Sequence, residues 1–128
     1  MLRHKNLILK STLNNLLIVE DNPFIGKNIF DATKGVRGIK DIRMTESLQE
    51  AISFLNDTTF TLIILDLKLP DGNGIEVLKW LIENKVETKV FVFSMSTALK
   101  QICLKHGAFA FYDKATDFDK LIEAVKIA

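Results

Sequence analysis

The sequence predicts an α/β fold, a doubly wound five-stranded parallel sheet with helices on both faces. Five short runs rich in Ile, Val, Leu and Phe are spaced along the chain, and a segment of helical character follows each. Strands that alternate with helices in this way pair in parallel, and right-handed crossovers distribute the helices over both faces. Ligands of such sheets bind beyond the carboxyl ends of the strands, so the residues that close each run matter most for function.

The first run is Leu16–Glu20, and Asn22-Pro23 after it offers an N-cap followed by a proline in the first helical turn. The second, Ile39–Met44, precedes Ser47-Leu48-Gln49-Glu50, which has the form of a capping box. Leu48, Ala51, Ile52 and Leu55 then recur at i, i+3, i+4 and i+7, one apolar face of a helix. The third run, Leu62–Asp66, leads into Pro70-Asp71-Gly72, a turn sequence, and Asn73 with Glu76 offers the start of a third helix. After the fourth run, Lys89–Phe93, a helix is expected from Thr97 to His106, closed by Gly107 in the left-handed conformation. The fifth run, Phe109–Tyr112, precedes a helix whose apolar face is Phe118, Leu121, Ile122 and Val125.

The 128 residues suit one domain with one core, able to bury roughly two-thirds of the surface its unfolded chain exposes. A composition 48% hydrophobic and 26% charged is too apolar for intrinsic disorder. A net charge of +1 gives no field to attract nucleic acid or an anionic membrane, and no recognition helix or basic patch stands out, so direct DNA binding is not expected. The single cysteine, Cys103, excludes an internal disulfide, and His4 and His106 are too far apart for metal-ligand spacing. No apolar stretch is long enough to span a membrane and no export signal is evident, which together fit a cytoplasmic protein. Residues 1–15 read as an N-terminal extension to a domain at 16–128, and Cys103, Trp80 and His106 are assigned no chemistry.

The carboxyl ends of the strands gather a distinctive set: Glu20 and Asp21 after the first, Asp66 after the third, Ser94 after the fourth and Lys114 after the fifth. Two carboxylates about 4 Å apart repel by roughly 4 kcal/mol at an effective dielectric near 20, so three together need cations. Lys114 supplies one, and the oxygen-only donor set suits a hard divalent ion such as Mg²⁺. An aspartate is also a nucleophile toward phosphorus, and a transferred phosphoryl group needs a metal, an ammonium and a hydroxyl such as that of Ser94 around its oxygens.

These residues resemble the receiver family of response regulators, whose stand-alone chemotaxis regulator is the minimal form. The resemblance covers about Leu16 to Ala128 and is carried by Leu16-Leu17-Ile18-Val19-Glu20-Asp21, Ile64-Leu65-Asp66-Leu67-Lys68-Leu69-Pro70-Asp71-Gly72-Asn73-Gly74, Phe93-Ser94, and Gly107-Ala108 leading to Phe111 and Lys114. It implies a flavodoxin-like sheet of strand order 2-1-3-4-5 and a phosphoacceptor signalling protein of a two-component or phosphorelay system. Asp66 would take a phosphoryl group from the phosphohistidine of a histidine kinase or histidine phosphotransfer protein. Asp21, Asp66 and the backbone carbonyl of Lys68 would bind Mg²⁺, with Glu20 holding it through water, while Ser94 and Lys114 would grip the phosphoryl oxygens. Ser94 and Phe111 would form the switch that changes the surface of the fourth helix, fifth strand and fifth helix, where a downstream protein docks. Self-phosphorylation and autodephosphorylation are then the only chemistry expected, with no enzymatic turnover and no output domain after Ala128.

The chain departs from the family pattern in two places, and Lys68 stands at a position that varies within the family. Ala115 follows Lys114 where the family usually has a cis-proline, and a cis bond before a non-proline residue costs about 2.5–4 kcal/mol, so a trans bond is expected. Met95 stands where a small residue is favoured and is expected to narrow access to the pocket, and Lys68 is positioned to pair with phosphoryl oxygens or an acidic neighbour. Taken singly, every site residue also has an ordinary reading: Glu20-Asp21 as a polar strand end, Asp66 as the start of a turn, Ser94 bonded to its own loop, Lys114 as a solvated charge, and Phe111, in a chain of nine phenylalanines, as a core-packing ring. Two other functions compete. One is a degenerate receiver that binds partners without phosphorylation. The other is a haloacid-dehalogenase-type phosphatase, which wants an acid two residues after its nucleophile, where Lys68 stands.

Overall fold

The computed structural model describes residues 14–128. Its central sheet is built from β1 (Asn14–Val19), β2 (Ile39–Thr45), β3 (Leu62–Leu65), β4 (Lys89–Ser94) and β5 (Ala110–Asp113), all paired in parallel. The spatial order is β2-β1-β3-β4-β5, the doubly wound arrangement expected. Between and after the strands run α1 (Pro23–Thr33), α2 (Leu48–Asp57), α3 (Ile75–Glu83), α4 (Lys100–Lys105) and α5 (Phe118–Lys126). Asn14 and Asn15, expected in the N-terminal extension, belong to β1; residues 1–13 of that extension lie outside the described residues.

Two apolar layers follow from the two-residue period of a strand. Leu17, Val19, Ile63, Leu65, Val90 and Val92 face one side and pack with Ala51, Leu55, Val77, Leu78, Leu81 and Cys103 of α2, α3 and α4. Leu16, Ile18, Leu62, Ile64, Phe91 and Phe93 face the other side and meet Ile29, Leu121, Ile122 and Val125 of α1 and α5. The inner strands, buried on both faces, therefore read as unbroken apolar runs rather than as alternations. Each such side chain contributes about 1.5–3 kcal/mol when fully removed from water.

Several starts and stops agree with the local chemistry. The Asn22 carboxamide oxygen accepts the N–H groups of Phe24 and Ile25 (2.9 and 3.2 Å), and the Ser47 hydroxyl accepts that of Glu50 (3.1 Å). Gly107 takes φ of +95° directly after α4 and its closing residue, His106, as its freedom from a Cβ allows. Other boundaries differ. The reciprocal half of the capping box is not formed: the Ser47 N–H points to the Thr45 hydroxyl (3.5 Å). The cap of α3 is Gly74 rather than Asn73, although the Asn73 side-chain oxygen still accepts the Ile75 N–H (2.8 Å). The expected helix from Thr97 to His106 begins as a 3-10 turn over Thr97–Leu99 before the α-helical part. Between β3 and α3, Lys68–Leu69 and Gly72–Asn73 form a two-residue antiparallel ladder around the expected turn.

Candidate functional site

The chain leaves β1 in one direction to make β2 and returns to the opposite side of β1 to make β3, which opens a crevice at their carboxyl ends. Register carries the site residues into it. Val19 is paired with Leu65, so Glu20 and Asp66 are the next residues on adjacent strands; Ser94 is paired with Asp113, so Lys114 follows immediately. Backbone bonds hold these ends down: Asp66 N–H to the Val19 carbonyl (2.9 Å), Glu20 N–H to that of Thr45 (2.9 Å), and Lys114 N–H to that of Ser94 (3.0 Å). Glu20, Asp66 and Lys114 continue the alternation toward the α1/α5 layer, which brings their side chains together.

Lys114 Nζ lies 2.8 Å from Glu20 Oε1 and 3.0 Å from Asp66 Oδ2. Both acids are buried, at 4% and 5% exposure. The second oxygen of Glu20 accepts the Asn22 N–H (3.1 Å), and that of Asp66 accepts the Leu67 N–H (2.8 Å). Asp21 is exposed, yet a carboxylate oxygen from each of Glu20, Asp21 and Asp66 falls within 4.8 Å of the others. These groups line a cleft of about 570 Å³ together with Lys68, Ser94 and Met95. An all-oxygen cluster of this size, negative and open to solvent at Asp21, fits a hard divalent cation.

Burial is the largest influence on Glu20, and with the charge of Asp66 it outweighs the Lys114 and Asn22 hydrogen bonds, pushing the carboxyl up to about 7. Burial works against the Lys114 ammonium, but hydrogen bonds to Glu20 and Asp66 and the two negative charges prevail, holding it above the ordinary lysine value.

The other expected residues fall as follows. Ser94 is buried at the cleft, and its hydroxyl oxygen accepts the Ser96 N–H (3.0 Å), which leaves the hydroxyl proton to donate elsewhere. Met95 is 64% exposed at the cleft wall. Phe111 is half-buried on β5 and packs against the layer of α2, α3 and α4, outside the cleft lining. The Lys114–Ala115 peptide is trans, as are the other peptide bonds among the described residues.

Sequence reasoning missed the two acids that hold the Lys114 loop. The Asp117 carboxylate accepts the Asp113 N–H (2.9 Å), and the Asp113 carboxylate accepts the Ala115 N–H (2.9 Å). The Asp117 N–H returns to the Asp113 carbonyl (2.8 Å), closing the loop that presents Lys114. The bond from Asp113 holds the Asp117 carboxyl below its ordinary value. The only signal was two aspartates flanking Lys114-Ala115-Thr116, which serve as loop acceptors because an aspartate readily bonds nearby backbone N–H groups.

A doubly wound sheet with an acid cluster and a paired lysine at its carboxyl edge defines a class of protein, and comparison assigns the family. Residues 16–126 match the response regulator receiver domain, and the chain belongs to that family. It is 34% identical over 116 residues to the response regulator protein PilR of Pseudomonas aeruginosa, covering 88% of this chain and 25% of PilR. It is 28% identical to the polar-differentiation response regulator DivK of Brucella ovis, covering 88% of this chain and 93% of DivK. Among solved structures, the signal receiver domain of a LuxO repressor protein from Vibrio parahaemolyticus superposes with a TM-score of 0.81 at 32% identity, covering 90% of this chain and 88% of that one. The chain thus spans a quarter of PilR and about half of the transcriptional regulator MalR of Bacillus subtilis, at 48% of its length. No helix among the described residues is long and apolar enough to cross a membrane.

Proposed function

We propose that this receiver domain accepts a phosphoryl group from a protein phosphohistidine onto Asp66, with Mg²⁺ bound at Asp21, Asp66 and the Lys68 carbonyl and held through water by Glu20. The observation that carries the reading is the pairing of one ammonium, Lys114, with two buried carboxylates beside a third, at the carboxyl edge of a receiver fold. In the transfer, a carboxylate oxygen of Asp66 attacks phosphorus; the O–P bond forms as the N–P bond of the donor breaks, and the electron pair of that bond returns to the ring nitrogen, the imidazole leaving neutral because its other nitrogen carries a proton. Lys114, already against Asp66, neutralises charge on the phosphoryl oxygens, and the free proton of the Ser94 hydroxyl donates to one of them. Mg²⁺, when bound, screens the carboxylates from one another and from the incoming phosphoryl oxygens.

The phosphoryl group carries roughly −1.5 to −2 charges at pH 7 and replaces the single charge of the Asp66 carboxylate, so the site gains about −0.5 to −1 beside one ammonium, and the new charge and acceptor oxygens bias the surrounding loops. Ser94 and Phe111 belong to neighbouring strands in register, Phe111 being paired with Val92, which suits them to carry that bias to the surface of α4, β5 and α5, where a downstream protein docks. Phosphatase chemistry of the haloacid-dehalogenase type has less support, because Lys68 occupies the place of the second acid.

The test is intact-mass analysis after incubation with Mg²⁺ and acetyl phosphate, comparing the natural chain with Asp66→Asn. One phosphoryl adduct that needs Mg²⁺ and is absent from the variant is expected. An adduct that survives in Asp66→Asn sinks the assignment of the acceptor, and no adduct with this donor or with a phosphohistidine protein favours a phosphorylation-independent binding module.

A further inference from the structure

The loop from Asp66 into α3 carries Lys68 along the cleft wall, and it is fastened at both ends. At its inner end the Gly74 N–H donates to the Leu67 carbonyl (2.7 Å), and Gly74 lies so close beneath Asp66 that a Cβ there would run into the Asp66 backbone oxygen. At its outer end Asp71 reaches out of the turn to a different element. Its Oδ1 accepts the Leu48 N–H (2.8 Å) and its Oδ2 the Gln49 N–H (2.9 Å), two donors at the start of α2 that lack intrahelical partners. A Cβ on Gly72 would stand 2.9 Å from Leu48 Cδ2, so the hairpin tip rests directly on the first residue of the helix.

Helix α2 already has its own cap in Ser47. The tip residues Pro70, Asp71 and Gly72 are exposed and contribute little burial of their own. What the Asp71 carboxylate adds is therefore a tether on the loop as much as a cap on the helix. We infer that Asp71 is a positioning residue for the cation site, fixing the Lys68 segment against Asp21 and Asp66 by fastening the hairpin tip to the first turn of α2. The inference rests on the proposed Mg²⁺ reading. The two backbone bonds, Gln49 foremost, also hold the Asp71 carboxyl below its ordinary value, as a carboxylate gripped by two donors should be.

The test is Mg²⁺ titration followed by amide chemical shifts at Asp21, Asp66 and Lys68 in the natural chain, Asp71→Asn, Asp71→Ala and Ser47→Ala. Asn keeps the size of Asp71 but only one acceptor oxygen, so its Mg²⁺ affinity is expected to fall about threefold to tenfold, and that of Ala further, toward the range seen when a ligand's supporting residue is removed. Ser47→Ala weakens the same helix end without touching the loop and should bind Mg²⁺ within about twofold of the natural chain, thermal melts confirming that all variants are folded. Natural binding with unchanged Asp71 variants overturns the inference alone, and equal weakening by Ser47→Ala overturns it by reducing the effect to helix stability. No saturable response in the natural chain overturns the Mg²⁺ reading and the inference with it.

Discussion

Replacing Lys114 by methionine isolates the charge that the site depends on. Methionine keeps an apolar stem of similar length beside the Phe93 ring, whose centroid lies 5.9 Å from the ammonium, while removing the partner of both buried acids. At an effective dielectric near 20, contacts of 2.8 and 3.0 Å correspond to gross attractions of about 6 kcal/mol each, most of which offsets the desolvation of the three charges. Breaking a buried pair from one side costs about 3–5 kcal/mol, because the orphaned charge stays buried. Here Glu20 can relieve part of the cost by taking a proton, since its carboxyl already sits at about 7. The metal-free variant should therefore lose about 3 kcal/mol at pH 8 and distinctly less at pH 6. With a urea m-value of about 1.5 kcal/mol/M, the pH 8 loss is a fall of about 2 M in the denaturation midpoint, readable from Trp80 fluorescence in EDTA. Saturating Mg²⁺ should restore part of it and should bind the variant more tightly than the natural chain, because no ammonium competes for the carboxylates. A loss below about 1 kcal/mol at pH 8, or one indifferent to both pH and Mg²⁺, would refute the charge argument.

Three further outcomes are expected. A carboxyl raised from 4.5 to about 7 means that the folded Glu20 binds protons the unfolded chain has already released, so the metal-free protein should lose stability as pH rises from about 4.5 through 7, and Glu20→Gln should flatten denaturation midpoints measured across that window; an unchanged slope in the variant would assign it to other groups. Asp113→Ala removes the acceptor of the Ala115 N–H and loosens the loop that presents Lys114, so acetyl phosphate labelling of Asp66 should slow about tenfold while the circular dichroism spectrum stays native; labelling at the natural rate would deny that loop a positioning role. Gly74→Ala forces a methyl group against the Asp66 carbonyl, Leu65 Cδ1 and Leu67 Cα, and a loss of about 2–3 kcal/mol is expected in urea denaturation, against under 1 if the loop simply moves aside.

How much of this was legible in the chain differs by residue. The alternation that sends Leu17, Val19, Ile63 and Leu65 to one layer and Leu16, Ile18, Leu62 and Ile64 to the other is a property of strands, so the strands and their order of appearance could be read locally. Helix starts at Asn22 and Ser47 were likewise visible, because a cap acts on N–H groups two or three residues away. Boundaries that depend on distant partners were not: Asn15 joins β1 because its N–H meets the Thr61 hydroxyl (3.0 Å) and its carbonyl the Thr61 N–H (3.0 Å), from the neighbouring strand end.

The sequence alone determined that acids, a hydroxyl and a lysine would stand at strand ends, since each lies at the end of a short apolar run or within two residues after it. Only the tertiary structure decided which of them touch. Parallel register set Glu20 beside Asp66 and carried Lys114 to both, the same alternation turned Phe111 into the opposite layer, and Asp71 found its two partners in a helix more than twenty residues earlier in the chain. Local patterns are fixed by neighbours along the backbone, whereas these contacts depend on how strands slide past one another and where loops land, and that is settled by the packing of the whole core.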